Sequence, residues 1–272
     1  MIKNVEVYIT GGSGQLGKVL RKYLFQKGIN TKVLSRKIIN LYENEEHINF
    51  CLGDKIDITN LKDSVIFFHF AYDANDPNND KSNINYCGME EILSSFKEHR
   101  NFRLIYISTP NLNQNTTNDN FQKYLAETLL ANHESLVLRP SLIYSKKDGI
   151  NKIFNKIRKF NFLKIPIPTN KNKLSPISVK DFINLIYELS FDENIKGTYL
   201  IKGTKDMCFK DFLKEFHNIH TFYLSNYFWR TFIYLLNIFS FNKFYFLSER
   251  IKGLIELKDI DELSKSVKIL KL

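Results

Sequence analysis

The first half of the chain alternates between two hydrophobic periods. Short apolar runs bounded by Gly, Pro, Asn or Asp predict strands, and longer stretches with apolar residues three and four positions apart predict helices. The predicted strands span residues 5–10, 31–35, 47–52, 65–71, 102–108 and 136–139. The predicted helices begin after residue 14 and span about 82–99 and 121–132. Regular alternation of this kind predicts an α/β fold with a doubly wound parallel sheet.

A different pattern begins near residue 146. The predicted elements there are an apolar helical stripe at 150–160, a Pro-interrupted stretch at 165–168, a helix at 179–189, a last strand at 198–201 and a last regular helix at 209–216. We therefore expect a core formed by 1–145 and completed by 176–202. Residues 146–175 and 203–272 are expected to form a small, mostly helical substrate cap.

A glycine-rich turn joins the first strand to the first helix. It consists of Gly11, Gly12, Ser13, Gly14, Gln15, Leu16 and Gly17. Gly11 allows a sharp turn, Gly14 lets the backbone approach a pyrophosphate, and Gly17 lets the helix pack closely on the sheet. The N–H groups and the dipole at the helix N-terminus favour an anion. The turn therefore predicts a Rossmann-type dinucleotide-binding unit.

Composition bears on the partners and the compartment. The formal net charge is +10 and the pI is near 9.3. Since the basic residues are spread along the chain and no nucleic-acid motif is present, we interpret the charge as compositional bias and expect an anionic small-molecule substrate. Cys51, Cys87 and Cys208 are isolated, so neither a disulfide framework nor a metal site is predicted. The chain enters its first strand with no signal peptide before it, which favours the cytoplasm.

Five segments together resemble motifs of the short-chain dehydrogenase/reductase superfamily, in the extended branch that includes the NAD-dependent epimerases and dehydratases. They are 10–17 (TGGSGQLG), 68–71 (FHFA), 83–88 (NINYCG), 107–109 (IST) and 138–144 (LRPSLIY). The order and spacing of the segments carry the resemblance, which implies the Rossmann fold. We interpret His69 as a hydrogen-bonded histidine at a strand end rather than as a catalytic group.

The end of the second predicted strand bears on the choice of cofactor. An acidic residue there usually meets the free ribose hydroxyl of NAD(H), whereas this chain has Ser35 and Arg36. Because Arg36 can pair with a 2′-phosphate, we expect NADP(H) in preference to NAD(H), with a solvated basic loop as the alternative. The resemblance implies these further cofactor-binding residues: Asp54 or Asp57, Ala71, Lys123, Pro140 and Ile143.

The catalytic motif departs from the family. The resemblance implies a Ser or Thr at the end of the fifth strand and a Tyr four residues before a Lys on the next helix. Thr109 or Ser108 fills the first role and Lys123 the last. The position of the Tyr holds Asp119, which could act as an acid/base or be an ordinary loop carboxylate. Other possible proton donors are Tyr86 and Tyr144. We interpret Tyr124 as a packing residue, because one helical position turns it about 100° away from the face of Lys123.

An aromatic segment at 222–246 is too interrupted by polar residues to predict a transmembrane helix. It could contact a membrane surface peripherally, at the inner face, with Arg230, Lys243 and Arg250 near phosphate groups. The alternative is the core of the cap or the surface of a homodimer.

The function implied by these motifs and the resemblance is an NADP(H)-binding oxidoreductase or epimerase-like enzyme. Its substrate would be a sugar linked to a nucleotide or to a lipid diphosphate, in surface polysaccharide biosynthesis. Because the usual Tyr is missing, a catalytically silent NADP(H)-binding subunit or redox sensor remains the alternative.

Overall fold

The computed structural model describes residues 5–58, 61–74, 76, 78, 80–112, 117–145, 164–239, 245–265 and 267–271. The chain divides into two compact units. The first unit contains residues 1–109, 122–139 and 179–199, and the second contains 110–121, 140–178 and 200–272.

Up to residue 140, six strands and three helices follow in the predicted order, and no helix is described between the second, third and fourth strands. The strands are β1 (Val5–Thr10), β2 (Thr31–Ser35), β3 (Glu45–Asn49), β4 (Ser64–His69), β5 (Phe102–Ile107), β6 (Leu136–Pro140), β7 (Leu142–Tyr144), β8 (Ile165–Pro168), β9 (Lys173–Leu174), β10 (Pro176–Ser178), β11 (Gly197–Lys202), β12 (Met207–Cys208), β13 (Thr221–Leu224) and β14 (Lys268–Lys271). The helices are α1 (Gln15–Gln26), α2 (Ile84–Ser95), α3 (Asn118–Leu130), α4 (Val179–Ser190), α5 (Phe209–His217), α6 (Asn226–Phe239), α7 (Tyr245–Ile255) and α8 (Ile260–Leu263).

The main sheet has the strand order β14-β11-β6-β5-β4-β1-β2-β3. The pairings from β6 through β3 are parallel. The chain builds β1, β2 and β3 outward in one direction and then returns to place β4 on the other side of β1. This reversal puts the carboxyl ends of β1 and β4 side by side, which is where open α/β sheets bind ligands. The predicted Rossmann-type fold is confirmed.

The core of the first unit explains why the central strands β1, β4 and β5 are rich in apolar residues. Both faces of a parallel sheet are covered, so their residues have no solvent side. Tyr8 and Phe67 are fully buried and stack with ring centroids 5.8 Å apart. Phe96, beyond the end of α2, contacts Phe67 edge-on and stacks on Phe102 at 4.5 Å. These aromatic contacts hold the first residue of β5 and the segment after α2 against the centre of the sheet.

The second half differs from the sequence prediction. The helix at 209–216 is not the last one, since α6, α7 and α8 follow it, and β12, β13 and β14 follow the strand predicted at 198–201. Strands of two to four residues are too short to show a period of two. Helix α6 carries large apolar side chains on both its buried and its exposed sides, which obscures its helical pattern. The stripe predicted at 150–160 lies outside the described residues. Residues 110–121, expected within the core, group with the second unit.

A buried ion pair supports α1 in the first unit. Arg21 Nε donates to Glu45 Oε1 at 2.8 Å, and Arg21 Nη2 donates to the carbonyl oxygen of Asn40 at 2.6 Å. The side chains of Arg21 and Glu45 are only 6% and 1% exposed. Arg21 Nη1 also lies 3.4 Å from the carbonyl oxygen of Gly12. The pair therefore joins the helix, the loop before β3 and the glycine turn.

We predict that Arg21→Ala lowers the free energy of unfolding by about 3–5 kcal/mol, because the carboxylate of Glu45 would remain buried without its cation. Urea denaturation measures the loss. Lys22→Ala, one residue on at an exposed position, is the control and should change stability by less than about 0.5 kcal/mol. Equal losses in both variants would show that the buried ion pair does not account for the loss of stability.

Candidate functional site

The glycine turn has the backbone geometry that its sequence predicts. Gly11 has φ of +69°, a conformation that side chains disfavour. A Cβ at Gly11 would lie 2.7 Å from the nitrogen of Ala71, and one at Gly17 would overlap the carbonyl oxygen of Gly11. Gly12 is equally restricted, since its Cβ would lie 2.5 Å from Val33 Cγ1. These three glycines are required by close packing of the protein on itself.

Gly14 is different. It is the N-cap of α1, and its N–H donates to the carbonyl oxygen of Gly11 at 2.9 Å. A Cβ at Gly14 would meet one atom within 4 Å, the Gly11 carbonyl oxygen at 3.1 Å. The residue is exposed, and no side chain caps the helix at this end. The open surface at Gly14 and the uncapped first turn of α1 fit the pyrophosphate of a dinucleotide.

Thr10 links the ends of β1 and β4. Its Oγ1 accepts the N–H groups of Phe70 and Ala71, each at 3.2 Å, and lies 2.8 Å from His69 Nδ1. With both acceptor positions occupied, the Thr10 hydroxyl donates its proton to Nδ1, so the other ring nitrogen of His69 carries the hydrogen. Burial, assisted by the positive charge of Lys123, lowers the pKa of His69 to about 4. His69 is therefore a buried, neutral, hydrogen-bonded residue, as the sequence analysis expected.

Two of the residues expected to bind the adenosine half, Ser35 and Arg36, lie at and just after the end of β2. Arg36 is exposed and has no hydrogen-bond or ion-pair partner among the described residues. Ser35 Oγ donates to the carbonyl oxygen of Lys37 at 2.8 Å and lies 3.1 Å from His47 Nε2. These contacts fix the turn from which Arg36 extends. The carboxylate of Asp54 accepts the N–H of Cys51 at 2.6 Å and is exposed.

Two residues expected to be catalytic lie at the end of β5. Ser108 is buried, its N–H donates to the carbonyl oxygen of Leu138 at 2.8 Å, and its hydroxyl has no hydrogen-bond partner in the described part of the chain. Lys123 Nζ donates to the carbonyl oxygen of Ile107 at 3.1 Å. Thr109 follows Ser108 and is half-buried. The structure thus brings the cation of α3 to the end of β5, in the first unit.

A polar network beside Lys123 escaped the sequence analysis. Gln122 is buried and accepts hydrogen bonds from the Tyr72 hydroxyl at 2.8 Å and from Asn85 Nδ2 at 2.9 Å. Its Nε2 donates to the carbonyl oxygens of Asp76 and Asn78 at 3.1 and 3.2 Å. The ring centroid of Tyr72 lies 5.5 Å from Lys123 Nζ. Nothing local in the sequence marks Gln122 as buried, so sequence reasoning could not predict this network.

Asp119 lies in the second unit and has a cationic partner there. Arg250 Nη2, on α7, is 3.6 Å from Asp119 Oδ2, with the two side chains 55% and 26% exposed. The neighbouring Glu249 accepts the N–H of Asn118 at 2.9 Å. Solvent screens an ion pair this exposed, so it contributes little to stability. The contact of Glu249 with the backbone explains why α3 begins at Asn118, three residues earlier than predicted.

The other residues of the second unit that the sequence analysis singled out lie in short strands. Pro140 is buried at the end of β6. Ile143 is half-buried in β7 and pairs with Ile177 of β10. Tyr144, considered as a proton donor, packs against Phe216 with centroids 4.6 Å apart. Within the part of the chain that the structure describes, no three His, Cys, Asp or Glu residues are placed to hold a metal ion.

The parallel sheet, the reversal of strand order beside β1 and the open helix N-terminus define a Rossmann-type dinucleotide-binding protein. The chain belongs to the NAD dependent epimerase/dehydratase family, whose sequence profile matches residues 7–154. This confirms the resemblance drawn from the motifs and supports a nicotinamide dinucleotide as the cofactor. The chain has no significant match among curated protein sequences.

Solved structures of sugar-modifying enzymes share this fold. A UDP-N-acetylglucosamine 4-epimerase from Bacillus cereus is 17% identical, with a TM-score of 0.64 over 81% of this chain and 86% of that chain. A UDP-glucose 4-epimerase from Thermus thermophilus, in complex with NAD, is 16% identical, with a TM-score of 0.60 over 81% and 86%. A dTDP-glucose 4,6-dehydratase from Bacillus anthracis, also with NAD, is 14% identical, with a TM-score of 0.62 over 82% and 85%. At such identities the likeness establishes the fold.

Proposed function

We propose that this protein is an NADP(H)-dependent epimerase-like or oxidoreductase enzyme acting on a sugar linked to a nucleotide or to a lipid diphosphate, in surface polysaccharide biosynthesis. The observation that carries the proposal is the open surface at Gly14, since the fold itself would tolerate a side chain there far better than at Gly11 or Gly17. The absence of a side chain at an exposed N-cap is explained by close approach of an anionic ligand.

The bound cofactor would supply hydride acceptance or donation at its nicotinamide ring. The residues of the chain that would hold it are those already placed: the uncapped first turn of α1 for the pyrophosphate, Ala71 for the adenosine half and Lys123 for the nicotinamide ribose. Arg36 is exposed, has no ion-pair partner among the described residues and would meet the 2′-phosphate. The structural relatives from Thermus thermophilus and Bacillus anthracis hold NAD, so the preference for NADP(H) rests on this chain's own residue.

The substrate class rests on the family and on charge. The relatives are named for UDP- and dTDP-linked sugars, and a net charge of +10 attracts a diphosphate. Thr109 or Ser108 would bind the reacting sugar oxygen. Thr109 is half-buried, whereas the Ser108 hydroxyl is enclosed by protein. Lys123 would hold the ribose, and Asp119 would move the proton that a Tyr usually moves.

A catalytically silent cofactor-binding subunit or redox sensor is the second candidate. The observation in its favour is the ion pair of Asp119 with Arg250, which gives this carboxylate a structural partner. A carboxylate is also a far weaker base than a phenolate, so it replaces the family's Tyr poorly in proton transfer.

We predict that Gly14→Val prevents cofactor binding while the protein stays folded, because the new side chain would occupy the space of the pyrophosphate. Isothermal calorimetry with NADP(H) and NAD(H) should show binding to the wild type and at least about a tenfold loss in the variant, equivalent to 1.4 kcal/mol. Gly17→Ala is the matched comparison and should lower thermal stability, since its Cβ meets backbone. No binding of either dinucleotide by the wild type would refute the proposed function.

We predict that Arg36→Ala weakens NADP(H) by about 1.5–3 kcal/mol, the range for hydrogen bonds to charged groups, and leaves NAD(H) nearly unchanged. Arg100→Ala removes the same charge from a distant exposed position and controls for long-range electrostatics. If Arg36→Ala weakens both cofactors equally, Arg36 supports the loop and does not recognise the phosphate.

A paired experiment separates the enzyme from the silent subunit. Lys123→Met should reduce cofactor affinity in either case, because it removes the cation held at the end of β5. Asp119→Tyr restores the phenol and should raise turnover of nucleotide sugars, since one positioned acid/base contributes about 10²–10⁴-fold. Tyr124→Phe, one residue beyond Lys123, should leave turnover unchanged. Absence of turnover in both the wild type and Asp119→Tyr, with cofactor still bound, would decide for the silent subunit.

A further inference from the structure

Helix α6 is the most apolar surface element of the second unit. Five of its large side chains are well exposed: Tyr227 at 81%, Phe228 at 47%, Tyr234 at 65%, Leu235 at 43% and Ile238 at 49%. Spacings of three, four and seven residues place them on one side of the helix. We call this surface, together with Arg230 and Thr231, the α6 face. Clustered exposure of large apolar side chains is typical of a surface that contacts another protein or a membrane.

The inner side of α6 packs within the second unit. Trp229 is buried, and its ring contacts Phe232 edge-on with centroids 5.8 Å apart. Helix α6 also packs beside α7. The helix is therefore fixed on the second unit by one side, and the outward position of the α6 face follows from this packing.

Charge decides between a membrane and a second copy of the chain. The stretch 226–239 contains no Asp or Glu and has one cation, the exposed Arg230. Pairing of two α6 faces about a two-fold axis would bring both Arg230 side chains to one interface without a carboxylate from either helix. Glu256 of the same chain interacts electrostatically with Arg230. The net charge of +10 nevertheless favours anionic lipid headgroups over a second copy, which would be equally basic.

The length and chemistry of α6 favour an orientation along the membrane surface. A helix of 14 residues extends about 21 Å, short of the roughly 30 Å of a bilayer core. None of the helices in the described residues is long and apolar enough to cross a membrane. Tyr227 and Tyr234 have the apolar ring and polar hydroxyl that suit the depth of the headgroups. We propose that the α6 face docks on the surface of a bilayer that contains anionic lipids.

The test is co-sedimentation of the full chain with phosphatidylglycerol vesicles at low salt. The wild type should sediment, and combined Tyr227→Ser, Tyr234→Ser and Ile238→Ser substitutions should lower the partition coefficient at least about tenfold, because apolar burial and charge together determine such binding. Circular dichroism should show an unchanged fold, since all three side chains are exposed. Ile38→Ser, at an 85% exposed apolar position of the first unit, should sediment like the wild type.

Tryptophan fluorescence reports which side of α6 contacts the lipid. Trp229 is the only tryptophan of the chain and lies on the inner side of α6, so brominated lipids should quench it weakly. The indole introduced by Tyr234→Trp should be quenched several-fold more. Wild-type protein that stays in the supernatant, a triple variant that sediments normally, or equal binding to phosphatidylcholine vesicles at high salt would each overturn the proposal. A dimer that the triple variant breaks, without vesicle binding, would assign the face to a second copy.

Discussion

The contact between the ends of β1 and β4 is the constraint on which the candidate site depends. Thr10 Oγ1 receives two backbone N–H groups from the segment after β4, while Gly11 brings its own backbone against the same segment. A side chain at Gly11 would separate the two strand ends, and loss of the Thr10 hydroxyl would leave buried donors unsatisfied. The position of Ala71, the direction of the glycine turn and the start of α1 all follow from this contact.

A second set of contacts determines where α3 begins, and it lies in the second unit. Glu249 accepts a backbone N–H at the start of α3, and Arg250 pairs with Asp119. A Cβ at Gly253 would lie 3.9 Å from Thr117 Cγ2, so α7 runs close to the residue before the helix. The same helix α3 carries Lys123 one turn further on. Lys123 is held at the end of β5 by the carbonyl oxygen of Ile107, whereas Asp119, four positions earlier, pairs with Arg250 of α7.

Sequence reasoning succeeded where a feature is local and repeated. The bounds of β1 agree residue for residue with the prediction, because a mostly apolar run that ends at a glycine turn indicates a buried parallel strand. The glycine turn was predictable because its glycines follow one another closely along the chain, and a Cβ at Gly11 or Gly17 would meet nearby backbone. Arg21 and Gln122 were not predictable. Both are long polar side chains, whose burial depends on partners 24 and 37 residues away in Glu45 and Asn85, and no local period reports such pairing.

The residues expected to bind the cofactor and the residue expected to transfer a proton serve different parts of the family's chemistry. In the proposed function, Gly14 and Lys123 would meet requirements of the cofactor that hold whatever reaction follows, since a pyrophosphate and a ribose must be bound in each case. Asp119 bears on the reaction alone, because a proton acceptor matters only when a substrate oxygen reacts. A chain that kept binding without catalysis would retain the first group and be free to change the second. The exposed ion pair of Asp119 with Arg250 is consistent with such freedom, because it gives the carboxylate a role that no reaction requires.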